Sequence, residues 1–124
     1  PLVGQVAAGE PILAEENIED YLEVPDVIGG ETGDYILRVK GDSMIGAGIQ
    51  EGNLLVVDRS LEARHGDIVI AVIDGELTVK RLEKRRGRIR LIAENPAYAP
   101  IEFQDGQEFT IWGVVTSVIQ RIKR

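Results

Sequence analysis

A mainly β fold, rolled or barrel-like, with mostly antiparallel sheets and few short helical turns, is what this sequence predicts. Three observations lead there. Short apolar stretches recur between glycine-rich breaks. Asp74-Gly75 separates two strand-like runs, a strong signal for a type I′ hairpin. No segment keeps a 3.6-residue apolar period over about 11 residues.

Residues 1–34 read as loosely organised, rich in Gly, Glu and Pro, with short apolar pieces at Leu2–Val6 and Tyr21–Val24. Clear strands begin at Tyr35–Lys40. Asn53–Arg59 follows, and its Leu54–Val57 run reads as buried on both faces. Ser60–His65 could form one helical turn with Ser60 as N-cap. Asp67–Ile73 and Glu76–Leu82 flank Asp74-Gly75, and a second hairpin joins Leu77–Leu82 to Ile89–Ile92 with Gly87 at its tip. After a turn at Asn95–Pro100 come a short strand near Ile101–Phe103, a turn at Asp105-Gly106, and a long strand over Phe109–Ile119.

The chain of 124 residues fits one domain, 1–124, with enough apolar content (44%) for a core. It has no cysteine, which excludes disulfides, thiolate metal sites and cysteine nucleophiles and fits a reducing compartment. A formal charge of −7 makes the chain by itself a poor binder of phosphate backbones. No apolar run approaches the roughly 20 residues of a membrane span, and no signal peptide is visible. Pro1 stands where an initiator methionine would, which points to a fragment or a processed product.

The chemistry narrows by residue type. The single histidine, His65, sits in the polar turn Arg64-His65-Gly66-Asp67, where an exposed turn residue is the ordinary reading. It cannot alone build a usual zinc site, and no metal or cofactor is expected. No phosphate-binding glycine loop is present. Serine with lysine remains. In Val39-Lys40-Gly41-Asp42-Ser43-Met44 a strand ends, Gly41 permits a sharp turn, and backbone N–H groups beside Ser43 can converge as an oxyanion hole requires. In Leu77-Thr78-Val79-Lys80-Arg81-Leu82, alternation puts Thr78, Lys80 and Leu82 on one face. A desolvated Lys80 would favour its neutral amine, which can take a serine proton. From spacing alone the plainer alternatives stand: a snorkelling strand lysine and a turn serine. Arg81, Lys84, Arg85, Arg86, Arg88 and Arg90 crowd one hairpin, which reads as a solvated tip or as a surface for phosphates or an acidic partner.

Several of these segments together resemble the LexA/UmuD-type family of self-cleaving serine peptidases. Val3-Gly4-Gln5-Val6-Ala7-Ala8-Gly9-Glu10-Pro11 is similar to the cleavage-site segment of LexA repressors. Gly41-Asp42-Ser43-Met44, with Gly48-Ile49 and Gly52-Asn53-Leu54-Leu55, resembles the nucleophile segment; Thr78-Val79-Lys80-Arg81-Leu82 resembles the general-base strand; Glu94-Asn95-Pro96 matches a further turn. The resemblance spans nearly the whole chain. It implies a peptidase and dimerisation domain of an SOS-response transcriptional repressor. Ser43 would be the nucleophile, Lys80 the general base, and Ala8–Gly9, within residues 1–34, the bond cut. It implies further a homodimer, with Phe109–Ile119 as candidate contact or ordinary core strand, stimulation by an activated RecA filament on single-stranded DNA, and a bacterial cytoplasmic location. Operator DNA would be reached only through an N-terminal DNA-binding domain absent from this sequence. UmuD-like polymerase accessory proteins and phage repressors share the domain type and stay open, as does a non-catalytic dimerisation module. The Ala-Gly bond favours the LexA side, since UmuD-like sequences often carry Cys-Gly.

Overall fold

The computed structural model describes residues 2–8, 12–13, 18–21, 34–103, 109–120 and 122. Among the described residues ten strands run in chain order: β1 (Leu2–Ala8), β2 (Ile12–Leu13), β3 (Ile18–Tyr21), β4 (Asp34–Gly41), β5 (Leu54–Asp58), β6 (Ile68–Ile73), β7 (Glu76–Arg85), β8 (Arg88–Ile92), β9 (Ile101–Glu102) and β10 (Phe109–Ile119). They form one sheet in the order β3-β1-β4-β5-β10-β6-β7-β8-β9, with β2 paired to β7. The β1 pairings to β4 and β7 are parallel, and the other pairings are antiparallel. Because Ala7 of β1 also pairs with Thr78 of β7, the sheet rolls until its two arms meet. The rolled, mainly antiparallel β class read from the sequence is the class observed.

Turn chemistry explains the two tight hairpins. Asp74 and Gly75 both take positive φ, 49° and 83°, as a type I′ connection between β6 and β7 demands. Arg86 and Gly87 do the same at 51° and 77° between β7 and β8. β6 shows why a rolled sheet needs apolar residues on both faces. Its Ile70 packs in one buried cluster with Leu37, Val39, Met44, Leu55 and Val79. Its Val69, Ala71 and Ile73 pack in a second cluster with Leu82 and Leu91. The period of two along the strand sorts them.

The structure corrects two expectations and locates a third. Ser60–His65 makes no helical turn: the Asp58 carboxylate accepts hydrogen bonds from the Ser60 N–H (2.7 Å) and hydroxyl (2.6 Å). Ser60 is thereby engaged backwards and caps nothing. Leu2–Ala8, within the stretch read as loosely organised, is a strand at the heart of the roll. The Tyr21–Val24 piece is a strand as far as Tyr21. Its remainder, and the Asp105-Gly106 turn, lie outside the described residues.

Candidate active site

β4 ends in Gly41 at φ 97°, a backbone conformation that favours glycine and turns the chain sharply out of the sheet. Asp42, Ser43 and Met44 form the turn, and a single 3₁₀ turn, Ile45–Ala47, follows it. The turn is fastened at its base. Ala47 N–H and Ile49 N–H both donate to the Met44 carbonyl (3.0 and 3.3 Å), and the Met44 and Ile49 side chains are fully buried in the first core cluster. Ser43 itself is completely buried. Among the described residues its N–H meets no acceptor, which leaves that donor for a bound group.

Lys80 comes from the opposite arm of the roll. Its side chain is 2% exposed, and its Nζ lies 3.0 Å from Ser43 Oγ, 2.9 Å from Thr78 Oγ1 and 3.2 Å from the Val79 carbonyl oxygen. Burial this complete disfavours the ammonium relative to the neutral amine. Once neutral, the nitrogen offers a lone pair to the Ser43 hydroxyl. Thr78, also fully buried, shares the Lys80 face as strand alternation requires and holds Nζ in place. The sequence reading set Thr78 on that face but gave it no role; the spacing of two along a strand was the available signal.

β1 runs between the two arms. Its parallel register sets Ala7 opposite Lys40 and Ala8 opposite Gly41, two residues before Ser43, while Ala7 also faces Thr78, two residues before Lys80. On β4 the backbone groups of Val39 turn to the β5 side, where Val39 exchanges hydrogen bonds with Asn53 and Gly52. Alternation therefore turns those of Lys40 toward β1, whose ladder with β4 runs to the Ala8–Gly41 pair. The backbone of Ala8 thus lies along the turn that carries Ser43. Gly9 lies outside the described residues. A cavity of about 780 Å³ opens on Lys80, lined also by Arg90, Ala97, Tyr98 and Pro100.

His65 stays apart from this cluster, exposed, its Nδ1 accepting the Lys84 N–H at 3.0 Å. Among the described residues no group of three or more His, Cys, Asp or Glu could hold a metal ion. The basic run divides. Arg81 pairs with Glu94, and Arg90 with Glu83 and Glu102. Arg85, Arg86 and Arg88 are exposed at the β7–β8 tip.

A buried Ser–Lys pair on a rolled β sheet, with a strand running beside it, is an arrangement suited to peptide-bond chemistry. The family model described as Peptidase S24-like matches residues 1–116, and the chain belongs to that family. Within it, the chain is similar to the LexA repressor of Bordetella pertussis (strain Tohama I), 49% identical over 120 residues that make up 97% of this chain and 56% of that protein. It is likewise similar to the LexA repressor of Shewanella sp. (strain W3-18-1), 49% identical over 121 residues, 97% of this chain and 59% of that protein. The chain therefore spans a little over half the length of the curated relatives it matches. No helix among the described residues is long and apolar enough to cross a membrane.

Proposed function

We propose that this chain is the catalytic and dimerising C-terminal domain of a LexA-type SOS repressor, and that it cuts its own Ala8–Gly9 bond with Ser43 and Lys80. The observation that carries this reading is the 3.0 Å contact between the Ser43 hydroxyl and the buried Lys80 amine, with Ala8 in register alongside. The neutral Lys80 amine takes the Ser43 proton as Oγ bonds to the Ala8 carbonyl carbon. The Ser43 N–H receives the negative oxygen. The Ala8–Gly9 C–N bond then breaks, and the Lys80 ammonium returns its proton to the Gly9 nitrogen. Lys80 next deprotonates a water molecule, which hydrolyses the Ser43 ester to leave the Ala8 carboxylate and the free serine.

The likeness to LexA repressors over 97% of the chain supports the repressor assignment. In this reading an activated RecA filament favours the cleavage-ready arrangement by binding it preferentially. Cleavage detaches a DNA-binding domain from the dimer, so operator binding loses its bivalency and repression ends in the bacterial cytoplasm. For the dimer, β10 supports a contact at its C-terminal half. There Val114–Ile119 pair with β5, whereas the pairs with β6 end at Val114. Val118 and Ile122 expose apolar surface nearby, 39% and 96%.

Incubation at alkaline pH, followed by mass spectrometry, tests the chemistry. Loss of residues 1–8 in the wild type, absent in Ser43→Ala and Lys80→Ala, is the expected result. An intact mass in all three, with and without an activated RecA filament, leaves a non-catalytic dimerisation module as the answer.

A further inference from the structure

The turn after β8 grips the Ser43 turn from outside, and the grip is built of side chains far away in sequence. Asn95 Nδ2 donates to the Asp42 carbonyl at 3.0 Å, across 53 residues. The Tyr98 hydroxyl donates to Asp42 Oδ1 at 2.6 Å, across 56 residues. The Gly46 N–H donates to the Glu94 carbonyl at 2.8 Å. Both ends of the segment that carries Ser43 are therefore held. The gripping turn is itself stiffened: Asn95 Oδ1 accepts the Ala97 N–H (2.9 Å), and the Asn95 carbonyl accepts the Tyr98 N–H (3.1 Å). Arg81, the neighbour of Lys80 on β7, ties Glu94 to the Gly66 carbonyl.

The Asp42 carbonyl and the Ser43 N–H belong to one planar trans peptide unit and point in opposite directions. The carbonyl is held by Asn95 and by the Ile45 N–H (3.3 Å). That fixes where the Ser43 N–H points, and among the described residues it meets no acceptor there. We propose that Asn95 and Tyr98 are positioning residues for self-cleavage: by holding Asp42 they aim the Ser43 N–H at the developing oxyanion. This rests on the Ser43/Lys80 peptidase reading above.

The test is the first-order rate of self-cleavage across an alkaline pH series, for the wild-type chain, Asn95→Ala and Tyr98→Phe, with circular-dichroism melting of each. Asn95→Ala is expected to lower the plateau rate by about 10- to 100-fold, as for a misaligned reacting group. Tyr98→Phe keeps its ring and loses the hydrogen bond to Asp42, so about three- to tenfold is expected. The pH midpoint should stay where the wild type has it, because the two bonds to Asp42 do not involve Lys80. A role confined to stability would lower the melting temperature yet leave the plateau of the folded protein unchanged. Plateaus within twofold of wild type for both variants overturn the proposal. So does a rate loss explained by a moved midpoint, which would mean the turn acts through Lys80. If Tyr98→Phe melts like wild type, it decides the matter even where Asn95→Ala unfolds. A wild-type chain that shows no Ser43-dependent cleavage overturns the peptidase reading itself, a result distinct from active wild type with unaffected variants.

Discussion

Lys80 and Lys84 lie on one strand, β7, in two different worlds. The first half of β7 is enclosed by β6 on one side and by β1 and β2 on the other, and Leu77, Thr78, Val79 and Lys80 are all buried. The second half pairs with β8 alone as it leaves the roll, and Lys84 and Arg85 are exposed. Lys84 Nζ reaches a loop carbonyl, that of Ala63, at 3.3 Å, where water competes for the same bond. Lys80 Nζ bonds two buried hydroxyls and a strand carbonyl. One residue type on one strand is thus a solvated charge at one end and a candidate base at the other, and enclosure by β1 makes the difference.

The sharpest way to break this comparison is to exchange each lysine for methionine. Lys80→Met should abolish self-cleavage, by at least about 10³-fold, while the thermal midpoint stays at or above wild type. The second half of that expectation follows because a buried amine gives way to an apolar chain of similar length. Lys84→Met should cleave like wild type. Mass spectrometry and calorimetry on the two variants check both halves. A Lys80→Met protein that still cleaves, or a Lys84→Met protein that does not, removes the distinction.

A smaller effect probes the Ser43 turn against its surroundings. A Cβ on Gly46 would sit 2.6 Å from the Glu94 carbonyl oxygen, so a backbone must move. Gly48, at φ 80°, has open space around it, and only its own backbone would object to a side chain. Gly46→Ala should lose about 1–3 kcal/mol by overpacking and slow cleavage with it, since the Glu94 clamp is displaced. Gly48→Ala should lose about 1–2 kcal/mol with less effect on rate. Urea unfolding and cleavage rates, measured side by side, separate the two.

How much of this was legible in the sequence divides along the same line. Local signals read well. Asp74-Gly75 gave its hairpin, the Leu54–Val57 run gave a buried strand, and Gly41 gave the turn before Ser43. Ser43 and Lys80 stood out by elimination and by family resemblance, but their meeting across 37 residues depends on how the sheet rolls. No spacing rule contains that. β1 was missed as a strand because Gly4, Ala7 and Ala8 lack the bulky branched residues that mark strands; its ladder to β4 forms through tertiary pairing. Asn95 and Tyr98 carried only a turn signal, since their partner Asp42 is distant in sequence. Ser60 failed as a helix cap because Asp58, two residues before it, competes for the same groups.

Asp58 stands between the two extremes: half-buried at the end of β5, and hydrogen-bonded to Ser60. The Ser60 hydroxyl, then the Ser60 and Leu61 N–H groups, hold its carboxyl below the ordinary 3.8. A depressed carboxyl contributes stability that is fully present above that ordinary value and is lost as pH falls through the folded one. The stabilisation is therefore in full force at neutral pH, and its loss is seen only in acid. In Ser60→Ala the hydroxyl bond goes while the backbone bonds remain. A carboxyl NMR titration should show the Asp58 midpoint rising part of the way toward 3.8. An unmoved midpoint would mean that the backbone N–H groups alone set it.

The least effect is expected where formal charge is densest. Changing Arg85 and Arg88 to Gln and Arg86 to Asn makes the chain three units more negative at the β7–β8 tip. If the tip is a solvated surface, stability should stay within about 0.5 kcal/mol of wild type. Asn also tolerates the positive φ that Arg86 adopts, 51°. Self-cleavage should stay within about twofold at physiological salt, because exposed charges are screened over about 8 Å. The same rates at low salt sharpen the point. A pH midpoint that moves upward in the triple variant, and returns with added salt, would show that the exposed end of β7 reaches Lys80 through its field. Enclosure by β1 would then not be the whole of what separates the two lysines.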